Sequence, residues 1–595
     1  MERLPDWQIA LRRLDMEPSR YLFLYVGSAS MMGFVTGLML MILGLFTGIF
    51  GIIVTIVFMV ISAGAAIVFP LLEVRKSANK IEKEMHMFVT RMGILSLGEV
   101  GARSMFDILR QMGDYGELAQ EVKRIEVLVD KWHTALPEAS RIVGQQSPSP
   151  LFADFLDRMA FSIEAGQPID IFMKAEQETI AEEYNTLYDM RLESVDSLRD
   201  IFVSLSTAGL FALVVAGIHL VLFQTGTLED ESIQVLSRIR FLIMSAFLFI
   251  LIQAGCMFGF RAIIPDDPVF SRDDFETPYR LLFGRTWVYA GIAMIVVAVP
   301  SIIGLFLFWP EITAEWDKYA LFVVAIPLTP LLFPGIVEQR EEGLVKKRDY
   351  MYPGFIRALG GTAQARSAEP SATIKALRGI DFGRLDDCIS RLESRLSTRI
   401  DSERAWDYFS AETNSAVISR FNRIYIEGAQ SSGEPAATAD MVSKSTTNML
   451  SLRRRRGLSA STMWGTSLGL LIATITSLNI TIYIVRGLGE SISGVASGLS
   501  TTDLSSVTDG AAGFGLPALD DNTVIEQNIY LFKVVISILI ILQILIMSAI
   551  GNRLRGGGWS TTIGQGIQML WLSAIVSFFT SLILDWSSGL FGIGS

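Results

Sequence analysis

The sequence predicts an all-α membrane protein that crosses the bilayer about nine times and carries two homologous helical bundles outside it. Half of the 595 residues are hydrophobic, 19% are charged and the mean hydropathy is +0.42, which is unlike a soluble multidomain enzyme. The apolar residues form blocks long enough to cross a hydrocarbon core about 30 Å thick, which takes about 20 helical residues. The polar stretches are rich in Glu, Arg, Leu, Ala and Met and are therefore predicted to be helical.

Nine apolar blocks are predicted to be membrane-spanning helices, because lipid offers backbone N–H and C=O groups no partner and the alternation of a barrel strand is missing. The blocks lie near residues 21–46, 48–72, 201–224, 241–260, 286–309, 319–337, 462–485, 528–549 and 565–585. Pro327, Pro330 and Pro334 predict a break in the sixth block, which is either a hinge or an irregularity of packing.

The predicted organisation follows from these blocks. In order, it is an N-terminal segment at 1–20, spans 1 and 2 at 21–72, a first polar segment at 73–200, spans 3 and 4 at 201–260, a loop at 261–285, spans 5 and 6 at 286–337, a second polar segment at 338–461, spans 7 and 8 at 462–549 with a Gly- and Ser-rich outer loop at 486–527, and span 9 within 550–595. The N-terminal segment either lies on the membrane surface as a short helix with Trp7, Leu11 and Leu14 on one side or is a frayed terminus.

The orientation follows from the basic residues, since cytoplasmic loops of membrane proteins are enriched in Lys and Arg. With the N-terminus inside, 45 of the 50 Lys and Arg residues fall on the cytoplasmic side. We therefore expect a multi-pass protein of the cell membrane whose N-terminus and two polar segments are cytoplasmic.

A repeat with a spacing of 267 residues relates the two halves of the chain. Residues 114–126 read "DYGELAQEVKRIE" and residues 381–393 read "DFGRLDDCISRLE". The matched polar and glycine positions are Asp114 and Asp381, Gly116 and Gly383, Arg124 and Arg391, and Glu126 and Glu393. We interpret the motif as the start of a helix, because an acidic residue there favours the helix dipole and glycine permits an unusual backbone conformation.

The letters Asp-Phe-Gly at 381–383 also occur as the magnesium-binding motif of protein kinases. The sequence has no Gly-rich phosphate loop, Val-Ala-Ile-Lys-type lysine or His-Arg-Asp before them, so the structural interpretation is favoured. Leu118 with Ile125, and Leu385 with Leu392, are predicted to share a buried helix face.

Breaks are predicted in the first polar segment at 98–101, 113–116, Pro137, 147–150 and 166–168, giving about five short helices in one bundle. From Pro168 to Gly209 there is no further Gly or Pro, so one helix is predicted to run from the bundle into the third span. The second half repeats this pattern after Pro435, although Gly457 and the run of four arginines at 453–456 predict an interruption.

The residues needed for catalysis or transport are scarce. No Gly-Lys nucleotide loop, His-Glu-x-x-His or paired cysteine is present, so we expect neither enzyme activity nor a metal or cofactor. If the protein takes part in work that consumes ATP, another chain must hydrolyse it. Ionisable residues in the spans are few, and His219 and Lys533 are interpreted as interfacial. A secondary transporter therefore stays an alternative of a different class.

The two polar segments differ in charge, with 23 acidic and 15 basic residues in the first and 16 acidic and 20 basic in the second. This difference predicts that they meet different partner surfaces. The acidic face of the first segment is one candidate contact, and the others are Lys346, Lys347, Arg348, Arg453, Arg454, Arg455 and Arg456. The alternative role for the four arginines is an anchor against anionic lipid headgroups.

The first polar segment, which reads "EMHMFVTRMGILSLGEVGARSMFDILRQMGDYGELAQEV" from Glu84, and its counterpart at 349–461 resemble the tandem domains of type II secretion F proteins. These are polytopic platforms of type IV pilus-like machines, and the two-copy layout is most similar to the archaeal branch that assembles the archaellum. A Gly-Glu turn typical of the family is present at Gly433–Glu434 and replaced by Gly166–Gln167 in the first copy.

The resemblance implies a dimeric or larger platform in the archaeal cytoplasmic membrane. It implies as partners a hexameric cytoplasmic secretion ATPase, archaellin or pilin-like filament subunits and other motor proteins, and no nucleic acid. The platform would convert the motion of the ATPase into assembly and rotation of a filament. A platform for an archaeal adhesive pilus is the alternative within the same superfamily.

Overall fold

This computed structural model describes residues 4–13, 17–42, 48–98, 115–222, 231–271, 275–366, 370–398, 401–498 and 522–591. The described residues form helices and no β-strand. In chain order these are α1 (Asp6–Arg13), α2 (Pro18–Tyr21), α3 (Gly27–Ile42), α4 (Gly48–Leu97), α5 (Gly116–Trp132), α6 (Leu136–Gln146), α7 (Pro150–Glu164), α8 (Ile169–Leu222), α9 (Glu231–Ile263), α10 (Pro278–Leu307), α11 (Trp309–Ala314), α12 (Trp316–Leu328), α13 (Leu332–Arg366), α14 (Pro370–Ala376), α15 (Asp386–Ser397), α16 (Ser402–Thr413), α17 (Ala416–Ser432), α18 (Pro435–Gly498), α19 (Asn522–Arg555) and α20 (Trp559–Phe591).

Nine helical segments in the described part of the chain are long and apolar enough to cross a membrane. The predicted all-α fold with nine spans is therefore confirmed. The break predicted from the three prolines of the sixth span is also present, because α12 ends at Leu328 and a 3₁₀ turn at Thr329–Leu331 precedes α13.

The breaks predicted in the first polar segment correspond to helix ends. Helix α4 ends at Leu97, α5 begins at Gly116, α6 has Pro137 in its first turn, α7 begins at Pro150 after Ser149, and α8 begins at Ile169 after Pro168. The Ser149 hydroxyl accepts a hydrogen bond from the Phe152 N–H at 3.3 Å and so caps α7.

The chain divides into two compact units. Unit 1 comprises residues 1–188, 348–413 and 417–452, and unit 2 comprises residues 189–347, 414–416 and 453–595. Each unit has a large apolar core of its own. The two polar segments thus fold together in unit 1, and most of the described apolar helices are in unit 2.

The core of unit 1 is shared by the two polar segments. Ile94 of α4 lies so close to Gly428 of α17 that a Cβ on the glycine would be 2.2 Å from the Ile94 Cγ2 atom. Arg91, which is buried, pairs with Glu427. His86 lies between the rings of Tyr184 and Phe421. The contacts of Ile94, Arg91 and His86 with Gly428, Glu427 and Phe421 join residues more than 300 positions apart, so neither polar segment completes its core alone.

A second set of polar contacts follows α18 within unit 1. The Ser445 hydroxyl lies 2.8 Å from the Thr90 Oγ1 atom and accepts from the Gln177 Nε2 atom at 3.1 Å. The Lys444 Nζ atom is 2.6 Å from the Glu178 Oε1 atom, although both side chains are exposed. Helix α18 is therefore paired with α4 and α8 by buried hydroxyls, which satisfy one another's hydrogen-bonding capacity.

Two helices run without a break from polar into apolar sequence. Helix α8 extends over 54 residues from Ile169 to Leu222, as predicted. Helix α18 extends over 64 residues from Pro435 to Gly498, and the interruption predicted at the arginine run and Gly457 does not occur. Its Arg456 side chain is buried at that point, so the sequence that we expected to break the helix instead attaches it to unit 2.

The glycines with positive φ support the predicted repeat. Gly116 and Gly383 have φ values of 51° and 58°, and Gly166 and Gly433 both have 68°. Each pair has the predicted spacing of 267 residues. Non-glycine residues adopt a positive φ at a cost of about 1–2 kcal/mol, so glycine is favoured at these turns. The two halves therefore have the same kind of turn at corresponding positions.

The N-terminal helix α1 docks on α4. Ile9 and Ala10 are buried against Val74, and the Leu4 N–H donates to the Gln145 carbonyl at 3.3 Å. Trp7, which was predicted to define the apolar side, is 50% exposed. The buried face of α1 is therefore different from the predicted one, because Ile9 and Ala10 pack on α4.

A polar network crosses the apolar core of unit 2. The Lys533 Nζ atom of α19 is 2.5 Å from the Asp317 Oδ1 atom of α12, and Lys533 is 8% exposed. The Ser577 hydroxyl of α20 donates to the Asp317 carbonyl at 2.7 Å, and the Asn479 amide of α18 donates to the Ser577 hydroxyl at 3.1 Å. Lys533, which was predicted to be interfacial, thus pairs with a carboxylate in the first turn of α12, and Asp317 links four helices.

Replacing Lys533 by Met is expected to destabilise the protein by about 1–3 kcal/mol, because the partly buried Asp317 carboxylate loses its cation. The double variant Asp317→Asn and Lys533→Met removes both charges at similar volume and should recover most of this loss. Thermal unfolding in detergent micelles measures whether the single variant is less stable than the double variant and the wild type. A single variant as stable as the wild type would show that the pair is not buried in the folded protein.

Candidate functional site

The loop between α9 and α10 forms the centre of a junction in unit 2. The Val269 N–H donates to the Gly556 carbonyl at 3.1 Å, and the Val269 carbonyl accepts from the Ala416 N–H at 3.0 Å. Phe270 forms an isolated antiparallel bridge with Ser415. Pro268 favours an extended conformation for the residue before it, so the loop is straight enough to make these backbone contacts on both sides.

Arg453 of α18 binds this loop. Its Nε and Nη2 atoms donate to the two carboxylate oxygens of Asp267 at 2.8 and 2.7 Å, and Nη2 also donates to the Pro268 carbonyl at 2.8 Å. Side-chain exposure is 14% for Arg453 and 10% for Asp267. Two parallel charge-assisted bonds of this kind fix the distance and the orientation of the Asp267 loop relative to α18.

Arg456, one turn further along α18, binds the end of α19. Its Nε atom donates to the Leu554 carbonyl at 2.6 Å, Nη2 donates to the Arg553 carbonyl at 2.7 Å and Nη1 donates to the Asp267 carbonyl at 2.9 Å. The last carbonyls of a helix have no partner within the helix and carry its negative pole. A buried guanidinium thus caps α19 and holds the Asp267 loop at the same time.

The turn between α19 and α20 is built from Gly556, Gly557 and Gly558. Gly556 has a φ of 73°, and a Cβ at this position would be 2.6 Å from the Asp267 carbonyl oxygen. The Glu338 Oε2 atom of α13 accepts from the Thr561 N–H at 2.6 Å and from its hydroxyl at 3.0 Å, which caps the start of α20. The glycines therefore lie between two polar anchors that leave no room for side chains.

The seven basic residues predicted as partner contacts fall into two groups. Arg453 and Arg456 are used inside the junction, and Arg348 donates to the Thr413 carbonyl at 3.0 Å. Lys346, Lys347, Arg454 and Arg455 are exposed. Of these, Lys346 lies 2.6 Å from Glu342 on its own helix, and Arg455 pairs with Asp189.

The repeat motif forms the start of a helix in the second half. The Asp381 carboxylate accepts from the Gly383 N–H at 2.8 Å, and the Asp386 carboxylate accepts from the Phe382 N–H at 3.0 Å. Leu385 and Leu392 are fully buried, as are Leu118 and Ile125 in the first half. These contacts are those of a turn that leads into a helix. Asp114 lies outside the described residues.

The other motif residues make local ion pairs. Arg124 lies 2.9 Å from Glu121, Arg391 lies 3.0 Å from Glu412, and Glu393 lies 2.7 Å from Arg378. Glu126 is half-buried. Burial raises the pKa of the Cys388 thiol beside this motif, so the neutral and less reactive thiol dominates.

Asp267 and Glu338 were not predicted as important residues. A signal for Asp267 was present, because an acidic residue followed by Pro268 in a short loop between two spans favours an extended segment that can accept from arginine. Glu338 had no such signal, because its partner Thr561 is more than 200 residues away.

The comparison with known proteins agrees with this architecture. Residues 88–217 match the family described as type II secretion system (T2SS), protein F. The chain is 27% identical over 591 residues to "Flagella accessory protein J" of Methanocaldococcus jannaschii, covering 97% of each protein. It is 25% identical over 585 residues to the protein of the same name from Methanococcus voltae, covering 97% of this chain and 98% of that one.

The chain is similar to flagella accessory protein J. The similarity spans nearly the whole chain, so it includes both polar segments and the apolar helices. The match to the F protein family covers α5 to α7 and most of α8, and the second polar segment lies outside it. No solved structure matches the chain. The resemblance predicted from the sequence is confirmed by these matches.

Replacing Arg456 by Ala is expected to destabilise the protein by about 3 kcal/mol, because the buried Leu554 and Asp267 carbonyls and the partly buried Arg553 carbonyl lose a charged donor. Arg456→Lys should recover little, since an ammonium cannot reach three carbonyls with the geometry of a guanidinium. Arg454→Ala, two positions away on the exposed side, is the matched control. Thermal unfolding in detergent measures all three. Equal stability of the Arg456→Ala and Arg454→Ala variants would contradict the capping role.

Proposed function

We propose that this protein is the membrane platform of a type IV pilus-like machine, and that the machine is an archaellum. The similarity to two proteins named flagella accessory protein J supports this assignment, together with the F protein match and the nine long apolar helices. The platform is not catalytic in this proposal. A hexameric secretion ATPase hydrolyses the nucleotide, and archaellin subunits form the filament.

The N-terminus and both polar segments are cytoplasmic in this proposal. The distribution of Lys and Arg supports it, since the inverse orientation would place nearly all basic residues outside. The protein then acts as a homodimer in the archaeal cytoplasmic membrane, with other motor proteins around it. Polar segments of this size have enough surface to bind a cytoplasmic ATPase, whereas short loops between spans do not.

The observation that carries the coupling proposal is the continuity of α8 and α18. Each helix has polar sequence at its start and apolar sequence at its end, with no Pro between. An uninterrupted helix keeps every internal backbone hydrogen bond and has no joint at which motion is lost. A displacement applied by an ATPase to the polar end is therefore transmitted to the span.

The contact with the ATPase is assigned to Lys347, Arg454 and Arg455. Their side chains are exposed, whereas Arg453 and Arg456 are engaged in the junction. Arg454 and Arg455 are adjacent to these two anchors on α18. Force applied at the exposed pair therefore reaches the Asp267 loop and the end of α19 through one turn of helix.

Deleting the gene from its host is expected to abolish archaella and swimming while adhesive pili persist. Electron microscopy of the cell surface and motility in soft agar measure this result, and a plasmid copy of the gene is the control. Loss of adhesive pili with normal swimming would assign the platform to the adhesive pilus instead.

Reversing the charge at Lys347, Arg454 and Arg455 together is expected to weaken binding of the purified ATPase about tenfold or more at low ionic strength, because three attractive charges become repulsive. The difference should shrink as salt is raised. Reversal of the exposed Lys375, Arg384 and Arg404 is the matched control, since it changes the net charge equally. Equal binding by the two triple variants in a flotation assay with nanodiscs would remove this surface from the contact.

A further inference from the structure

A groove of about 410 Å³ lies between α5 and α6 on the surface of unit 1. Val127, Leu128 and Ile142 are partly exposed in it, and Val143 is buried beneath them. Partly exposed aliphatic side chains in one concave strip are unusual on a polar, water-facing helix pair. The groove is therefore shaped to receive an apolar ridge.

The rim of the groove is basic. Lys123 is exposed on one edge. Arg124 donates to the Gln146 Oε1 atom at 2.6 Å across the groove and pairs with Glu121, whose side chain is only 3% exposed. The Glu121 carboxylate is directed inward, so the accessible charge at the groove is positive. An occupant with carboxylates beside its apolar side chains complements this surface.

The corresponding surface of the second polar segment is closed. Arg395 and Arg391 both bind the Glu412 carboxylate, and the Arg395 guanidinium lies 5.0 Å from the centre of the Tyr408 ring. With the spacing of 267 residues, Arg395 corresponds to Leu128 and Glu412 corresponds to Gln145. The first half thus lacks both partners of the ion pair that covers the second half, and among the described residues no such pair covers its apolar floor.

An exposed aromatic side chain extends the groove. Trp132 is 74% exposed at the end of α5 and lies one helical turn beyond Leu128, so the two occupy the same face. Exposed tryptophan is rare on a water-facing surface and is enriched among residues that dominate binding energy. With Trp132, the apolar strip is about two helical turns long. The apolar side chains along one face of a single amphipathic helix span a similar length.

We propose that the groove between α5 and α6 binds an acidic amphipathic helix of the secretion ATPase. The inference rests on the proposed function, which supplies the ATPase, and adds a second ATPase contact, on unit 1, to the one assigned to Lys347, Arg454 and Arg455. Apolar side chains of the ATPase helix fill the strip over Leu128 and against Trp132, and its carboxylates pair with Lys123 and Arg124. This surface is used by the first half alone, because the second half is closed by its own ion pair.

The test is to close the groove with the residues of the second half. The double variant L128R/Q145E introduces the ion pair that Arg395 and Glu412 form in the same helix arrangement, and Arg124 is in place as Arg391 is there. We expect the purified full-length protein in nanodiscs to lose at least tenfold in affinity for the purified hexameric ATPase from the same genome. Unchanged thermal unfolding shows that the variant is folded.

A second pair of variants tests the charge of the rim without altering the floor. K123E should weaken binding severalfold at low salt, whereas S390E, at the corresponding exposed position of the second half, should leave the affinity unchanged. Both changes are on the surface and remove no core contact.

The outcomes separate the inference from the proposed function. If the wild type binds the ATPase and both L128R/Q145E and K123E bind it equally well, the groove is not the docking site and the platform function stands. If the wild type does not bind the ATPase, the proposed coupling fails and the groove assignment fails with it. Weaker binding by S390E to the same extent as by K123E would also overturn the inference, because the effect would then come from net charge alone.

Discussion

The buried arginine at position 456 is the interaction on which the apolar unit depends. One guanidinium satisfies two terminal carbonyls of α19 and the backbone of the Asp267 loop. Without this donor, the buried Leu554 and Asp267 carbonyls would lose a charged partner, and each unsatisfied buried group costs about 1–3 kcal/mol. The glycine turn lies against the same side chain, because a Cβ on Gly556 would be 3.4 Å from the Arg456 Nη2 atom.

The geometry of an α-helix explains why a run of four arginines has two roles. Successive residues on a helix are separated by about 100°, so four consecutive side chains point in all directions around the axis. At least one must face the protein when the helix is packed, and here Arg456 is buried and Arg453 nearly so. Arg454 and Arg455 are left for solvent, lipid headgroups or a partner. A basic run on a packed helix is thus never one uniform patch.

Most of the architecture could be predicted from the sequence because it depends on local signals. The lengths of the apolar blocks, the positions of Pro and Gly and the 267-residue spacing gave the spans, the breaks and the matched turns at Gly116 and Gly383. The junction could not be predicted in this way. Its pairs, such as Arg456 with Leu554 and Glu338 with Thr561, join residues about 100 and more than 200 positions apart, and no local pattern contains that information. The burial of Lys533 was missed for the same reason, since its partner Asp317 is distant in the chain.

Divergence between matched halves is a physical route to asymmetry in a duplicated protein. A core shared by the two polar segments cannot change freely, because Ile94 and Gly428 or Arg91 and Glu427 must remain complementary. The outer faces are free of that constraint. Leu128 and Gln145 stand where the second half has Arg395 and Glu412, whose ion pair is largely buried. The halves thus differ at their outer faces, while the shared core keeps the polar segments folded as one unit.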